Sequence, residues 1–104
     1  MATIVTDSNF STLIAGAKPV MIDFWAAWCK PCRMLAPSIE ALAAEYEGRA
    51  VVGKYNVDEN SAVASQLGIR SIPAVLFFKG GRLVDSSIGL VPGEVLENKL
   101  KALL

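Results

Sequence analysis

Val20-Met21-Ile22-Asp23-Phe24-Trp25-Ala26-Ala27-Trp28-Cys29-Lys30-Pro31-Cys32 is the stretch on which the rest of the chain turns. Val20 to Trp25 is a near-continuous apolar run. That is the pattern of a strand covered on both faces rather than one with a solvated side. A helical pattern starts directly after it. The two cysteines, the only ones in the chain, stand three apart at that junction. On a helical turn this spacing puts their Cα atoms roughly 5–6 Å apart, inside the window a disulfide needs. The pair can therefore open and close with little backbone movement. If Cys29 sits at the helix N-terminus, free N–H groups and the helix dipole favour its thiolate. Pro31 suits the first helical turn, where its missing N–H costs nothing.

Composition narrows the function classes. A chain of 104 residues predicts one domain, residues 1–104. A domain of this size buries roughly 65% of its unfolded surface, enough for a core without metals. An apolar fraction of 53% against 19% charged argues against disorder. Ten basic residues balance ten acidic ones. There is thus no electrostatic reason to expect nucleic acid or an anionic membrane as a partner. The chain has no histidine, which removes the commonest general base and the commonest metal ligand together. The N-terminal stretch lacks a basic region followed by an apolar one and does not read as a signal peptide. The apolar runs fall far short of the ~18 residues of a membrane span. The expectation is a soluble, cytoplasmic protein, and in a reducing compartment a close cysteine pair is more often catalytic or metal-binding than structural.

Outward from the central stretch, the elements alternate. Thr3 to Val5 predicts a short edge strand. Asp7 or Ser8 is placed to cap a helix carrying Phe10, Leu13 and Ile14. A long helix is expected from about Pro31 to Tyr46, with Met34, Leu35, Ile39, Leu42, Ala43 and Tyr46 on its apolar stripe. Pro37 falls inside it and removes one i to i−4 bond. Val51 to Val57 reads as a second central strand. Asp58, Glu59 and Asn60 should open a shorter helix bearing Val63, Ala64 and Leu67. Ala74 to Phe78 is a third apolar strand. Gly80-Gly81 should turn it into an alternating strand, Arg82 to Ile88. Pro92 starts a last helix with Val95, Leu96, Leu100 and Leu103 inward. The order predicts an α/β fold with a mixed central sheet and helices on both faces.

The chemistry centres on Cys29 and Cys32. Dithiol–disulfide exchange is one reading; buried structural thiols or a static bridge is another. A four-residue loop constrains the unfolded chain little, so a static bridge here would stabilise weakly. A zinc site needs about four ligands, and the chain offers two thiols and no histidine. No metal site is expected. Asp23 stands alone among Met21, Ile22, Phe24 and Trp25. Desolvation should raise its pKa and fit it to exchange a proton with Cys32; the alternative is a strand-edge Asp bonded to nearby backbone.

Trp28-Cys29 with Pro31-Cys32, the Asp23-Phe24-Trp25 strand, Val57-Asp58, Ile72-Pro73 and Gly80-Gly81 followed by Gly89 together resemble the thioredoxin family. The likeness runs through essentially the whole chain in order. It implies the thioredoxin fold, with about five strands and about four helices. It also implies protein-disulfide reduction, with Cys29 attacking and Cys32 resolving. It implies a cis Ile72-Pro73 bond facing the cysteines. An apolar substrate-binding rim of Trp28, Ile72, Gly89 and Leu90 follows, with Trp28 covering the site and Trp25 supporting it from below. It places Lys54 near Asp23, where its charge opposes the raised pKa. The implied partners are disulfide-containing proteins and a thioredoxin reductase-like flavoprotein. No cofactor beyond the redox-active disulfide is implied, and the protein is expected to be a monomer.

Lys30 departs from the family, which usually carries glycine there. An ammonium ~7 Å from the Cys29 sulfur contributes about 0.6 kcal/mol at water dielectric. That raises the reduction potential by roughly 10–20 mV at most, a mildly more oxidising protein that is still a reductant; the alternative is a solvated lysine with no electrostatic consequence. The competing readings are a structural or binding subunit of the same fold, and a disulfide oxidase or isomerase.

Overall fold

The computed structural model describes residues 1–104. In chain order the elements are β1 (Thr3–Val5), α1 (Phe10–Ile14), β2 (Val20–Trp25) and α2 (Lys30–Glu45). They continue with β3 (Val51–Asn56), α3 (Ala62–Gln66), β4 (Ala74–Lys79), β5 (Arg82–Ile88) and α4 (Gly93–Lys101). The sheet has five strands in the order β1-β3-β2-β4-β5. β1, β3 and β2 are mutually parallel; β4 runs antiparallel to both β2 and β5. The strand carrying the central apolar run is thus the middle strand.

Two cores flank this sheet. Successive side chains of a strand point to opposite faces, and β2 serves both. Met21 packs with Leu35, Ile39, Leu42 and Tyr46 on the α2 side and Leu96 and Leu100 of α4. Val20, Ile22 and Phe24 pack with Tyr55, Leu76 and Phe78 and with Phe10, Leu13 and Val63 of α1 and α3. Each fully buried Leu, Ile or Phe contributes roughly 1.5–3 kcal/mol, so the sheet is clamped from both sides. Asp23 lies on the Met21 face, level in register with Lys54 of β3 and Val75 of β4. The α2 stripe runs through Cys32, Leu35, Ile39 and Leu42. Met34, expected on it, is 56% exposed. It is one residue round from Leu35, and the sheet already receives Leu35.

Other boundaries shift for local reasons. Asp7 does not cap α1: that helix has Asn9 at its N-cap and no side-chain cap. Instead Asp7 reaches across to α3, accepting from the N–H groups of Ser61, Ala62 and Val63 at 3.0–3.1 Å and from the Tyr55 hydroxyl at 2.6 Å. α3 starts at Ala62 rather than at Asp58, because Asn56 holds the preceding residues in a turn. Its side chain accepts from the Asp58 N–H at 2.9 Å, and its carbonyl from the N–H groups of Glu59 and Asn60. Gly80 and Gly81 both have positive φ, 63° and 79°, the conformation a tight two-residue hairpin requires. β5 does not bury an alternating face. Leu83, Val84 and Ile88 are exposed. It is an edge strand that α4 touches only at its polar face, where the Lys99 ammonium meets Asp85 at 3.1 Å, and a register shift at Phe77/Phe78 disturbs the alternation. α4 starts at Gly93, with Pro92 at the N-cap. No helix is long and apolar enough to cross a membrane.

Candidate active site

The C-terminal end of β2 delivers the chain to the first turn of α2. Cys29 is the N-cap residue, with extended backbone at φ −88° and ψ 107°. Lys30 opens the helix and Pro31 follows, both exposed. Arg33 steadies the entry, its guanidinium donating to the Ala27 carbonyl at 2.8 Å. Cys29 and Cys32 form a disulfide, with Cα atoms 5.2 Å apart. The Cys32 backbone N–H donates to the Cys29 sulfur at 3.2 Å. A helix N-terminus thus offers that sulfur a backbone donor that no intrahelical carbonyl claims, where a thiolate's charge would develop.

Cys29 is the less covered of the pair, but not openly exposed. It keeps 5% of its surface against 2% for Cys32. Trp25, Val57 and Ile72 pack around Ala26 and the two cysteines. The Ile72 carbonyl oxygen lies 3.8 Å from the Cys29 sulfur. The Ile72-Pro73 peptide is cis. The Pro73 carbonyl accepts from the Gly89 N–H at 2.8 Å. That bond ties the Ile72-Pro73 loop to the end of β5 and brings Gly89 and Leu90 alongside it. Gly89 has φ +92°, and Leu90 is exposed. Trp28 is 69% exposed, and its indole N–H donates to Asp58 at 3.3 Å.

On β2, two residues before its C-terminal end, lies Asp23, 1% exposed. By alternation it shares a face with Trp25, one step nearer the disulfide, and with Met21, one step deeper. Neither of its oxygens has a hydrogen-bond partner in the protein. Burial pushes its carboxyl up to about 7, and the Lys54 charge pulls weakly the other way. Lys54 does not pair with it. Its ammonium stands 4.7 Å above the Trp25 ring and 3.6 Å from Glu40.

The residues singled out from the sequence are gathered at this end of the sheet: Asp23, Trp25, Trp28, Cys29, Lys30, Pro31 and Cys32 from one continuous segment, and Lys54, Ile72, Pro73, Gly89 and Leu90 from three others. Val57, Asp58 and Glu40 were missed as participants. Val57-Asp58 carried a signal through its place in the family pattern. Glu40 carried none, since it reads as an ordinary polar position on α2. No three Cys, Asp or Glu side chains converge as metal ligands.

A mixed sheet of this order, with a Cys-x-x-Cys disulfide in the first turn of a helix and the Ile72 carbonyl against it, defines a thiol–disulfide oxidoreductase. The thioredoxin family profile matches residues 1–102. The chain is 52% identical over 96 residues to a thioredoxin of Chlorobaculum thiosulfatiphilum, covering 91% of this chain and 89% of that protein. It is 52% identical over 100 residues to a thioredoxin of Alicyclobacillus acidocaldarius, covering 96% and 95%. A thioredoxin 1 of Nostoc is 51% identical over 98 residues, covering 93% and 92%. The chain belongs to the thioredoxin family, and its activity is dithiol–disulfide exchange through Cys29 and Cys32.

Proposed function

We propose that the protein works mainly as a reductant of protein disulfides, as one unit over residues 1–104. The Cys29 thiolate attacks one sulfur of a substrate disulfide and expels the other as a thiolate, leaving a mixed disulfide. Cys32 then loses its proton to Asp23. Its thiolate attacks the Cys29 sulfur and releases the second substrate thiol. Two electrons leave the dithiol, and the Cys29–Cys32 disulfide is the product. A reductase of the flavoprotein type would return it to the dithiol, and the medium would be a reducing one such as the cytoplasm. The disulfide is then the only redox group required, and the protein works as a monomer.

The observation that carries this reading is the asymmetry of the two sulfurs. Cys29 has the Cys32 N–H aimed at it and retains some surface. Cys32 sits a turn deeper, on the side of the buried acid. Asp23, titrating at about 7, is fitted to accept and return a proton near neutral pH. Ile72, Trp28, Gly89 and Leu90 serve as the substrate platform, the Ile72 backbone pairing with an extended segment. Alkylation of the reduced protein at about pH 7 tests the assignment. Cys29 should react well ahead of an ordinary thiol of pKa about 8.5, and Cys32 behind it. A Cys29 no faster than that reference overturns the reading. Insulin reduction with dithiothreitol, lost in Cys29→Ser, separates a reductase from a binding subunit.

A further inference from the structure

We propose that Glu40 is a positioning residue: by anchoring the Lys54 ammonium, it keeps that cation off Asp23 and leaves the buried acid ready to hold a proton. The inference rests on Asp23 being the proton acceptor described above, but its test does not.

The geometry is specific. Asp23 and Lys54 are register partners on adjacent strands and share a face of the sheet. Two such neighbours stand close enough for long side chains to meet. A carboxylate beside an ammonium in a covered site would ordinarily pair with it. Here the pair is not made. Asp23 has no partner at all, and Lys54 points to Glu40 at 3.6 Å while lying over Trp25. Glu40 is itself held, because one of its oxygens accepts the Ala2 N–H at 2.8 Å. The other oxygen faces Lys54. β1 and α2 are thereby tied together at the point where the cation is caught.

The residues that register and burial place around Asp23, Lys54 apart, are neutral in the disulfide form. Met21 and Trp25 flank it on β2, and Val75 lies level with it on β4. Leu35 and Cys32 face the sheet from α2, and Leu96 and Leu100 from α4. Lys54 from β3 is the one charge whose field bears on Asp23, and Glu40 from α2 is its ion-pair partner; the other charges on that face, Glu97 with Lys101 and Asp85 with Lys99, are paired with each other at α4. The competition is therefore between two carboxylates for one ammonium. Glu40 is the half-exposed one, so ionising it costs little, and Asp23 is the one for which ionisation is opposed by burial.

The test follows the Asp23 side-chain carboxyl carbon by NMR as a function of pH in the oxidised protein, where neither cysteine titrates. Glu40→Gln keeps the acceptor for the Ala2 N–H and removes the charge that holds Lys54. The Asp23 midpoint should fall from about 7 by about one pH unit or more, as an opposite charge within ~4–6 Å produces. In Lys54→Met the midpoint should rise. Adding Glu40→Gln to Lys54→Met should then change nothing further. A midpoint that fails to fall in Glu40→Gln overturns the proposal. So does an equal fall in the Lys54→Met background, because Glu40 would then act on Asp23 directly through space. If the midpoint moves as expected while the pH profile of Cys32 exchange stays put, Glu40 keeps its role and Asp23 loses its assignment as proton acceptor.

Discussion

Asp23→Asn should stabilise this protein at neutral and alkaline pH, and the stabilisation should be pH-dependent in a defined way. Asn has the shape of the protonated acid and, like it, is neutral. Neither finds a partner in this site, so at about pH 4 and below the variant and the parent should be nearly equal in stability. The acid titrates at about 7 when folded and at 3.8 when unfolded. Between those values the native state still holds a proton that the unfolded chain has released. Parent stability therefore falls with rising pH, by about 1.4 kcal/mol per pH unit, until the folded group also ionises. The accumulated loss is about 4 kcal/mol by pH 8, a large part of a total of roughly 5–15 kcal/mol. The variant escapes it. Urea unfolding of the oxidised forms from about pH 4 to about pH 9 gives the difference directly, and titrations common to both proteins cancel in it. A difference that is constant across this range would refute the argument. So would one that shrinks as pH rises. The same substitution should slow exchange at Cys32 more than attack by Cys29, and equal slowing of both steps would exclude the proton-acceptor role.

Other outcomes follow from single contacts. Asp7, held near pKa 2 by the Tyr55 hydroxyl and the α3 N–H groups, adds stability that is present above the unfolded value and lost as pH falls toward 2. Asp7→Ala should flatten this acid limb and speed hydrogen exchange at Ala62 and Val63; an unchanged acid limb removes the cap from the account. Gly53→Ala would set a Cβ 2.5 Å from Val5 Cγ2 and 3.2 Å from the Thr3 carbonyl oxygen. It should cost about 1–3 kcal/mol by urea unfolding, the usual penalty for overpacking. Lys30→Gly should lower the reduction potential by roughly 10–20 mV against a glutathione couple. A potential that stays put or rises removes the charge argument.

The extent to which the site was legible depends on how its residues are linked. Cys29, Lys30, Pro31 and Cys32 are a local constellation. Their spacing and the helix start impose the geometry, so the 5.2 Å Cα separation was readable in advance. Asp23 was visible because a carboxyl in an apolar run is a chemical anomaly wherever the strand lies. Ile72-Pro73, Gly89 and Lys54 were reached only through resemblance, since nothing near them in sequence points to a disulfide. Glu40 was missed because its partners lie on other elements and it looks like an ordinary surface acid; Asp58 was visible only as part of the family pattern, and its bond to Trp28 was not.

Taken alone, the amino-acid order determined the alternation of strands and helices, the doubly covered central strand and the chemistry of the cysteine pair. These rest on periodicity, turn chemistry and local spacing, which act over a few residues. Only the tertiary structure decided which acid caps which helix, sending Asp7 to α3 rather than to its own neighbour. It alone left β5 as an exposed edge and turned Lys54 toward Glu40 instead of Asp23. Those outcomes are competitions between partners distant in sequence, settled by register and packing, and no local pattern encodes who wins.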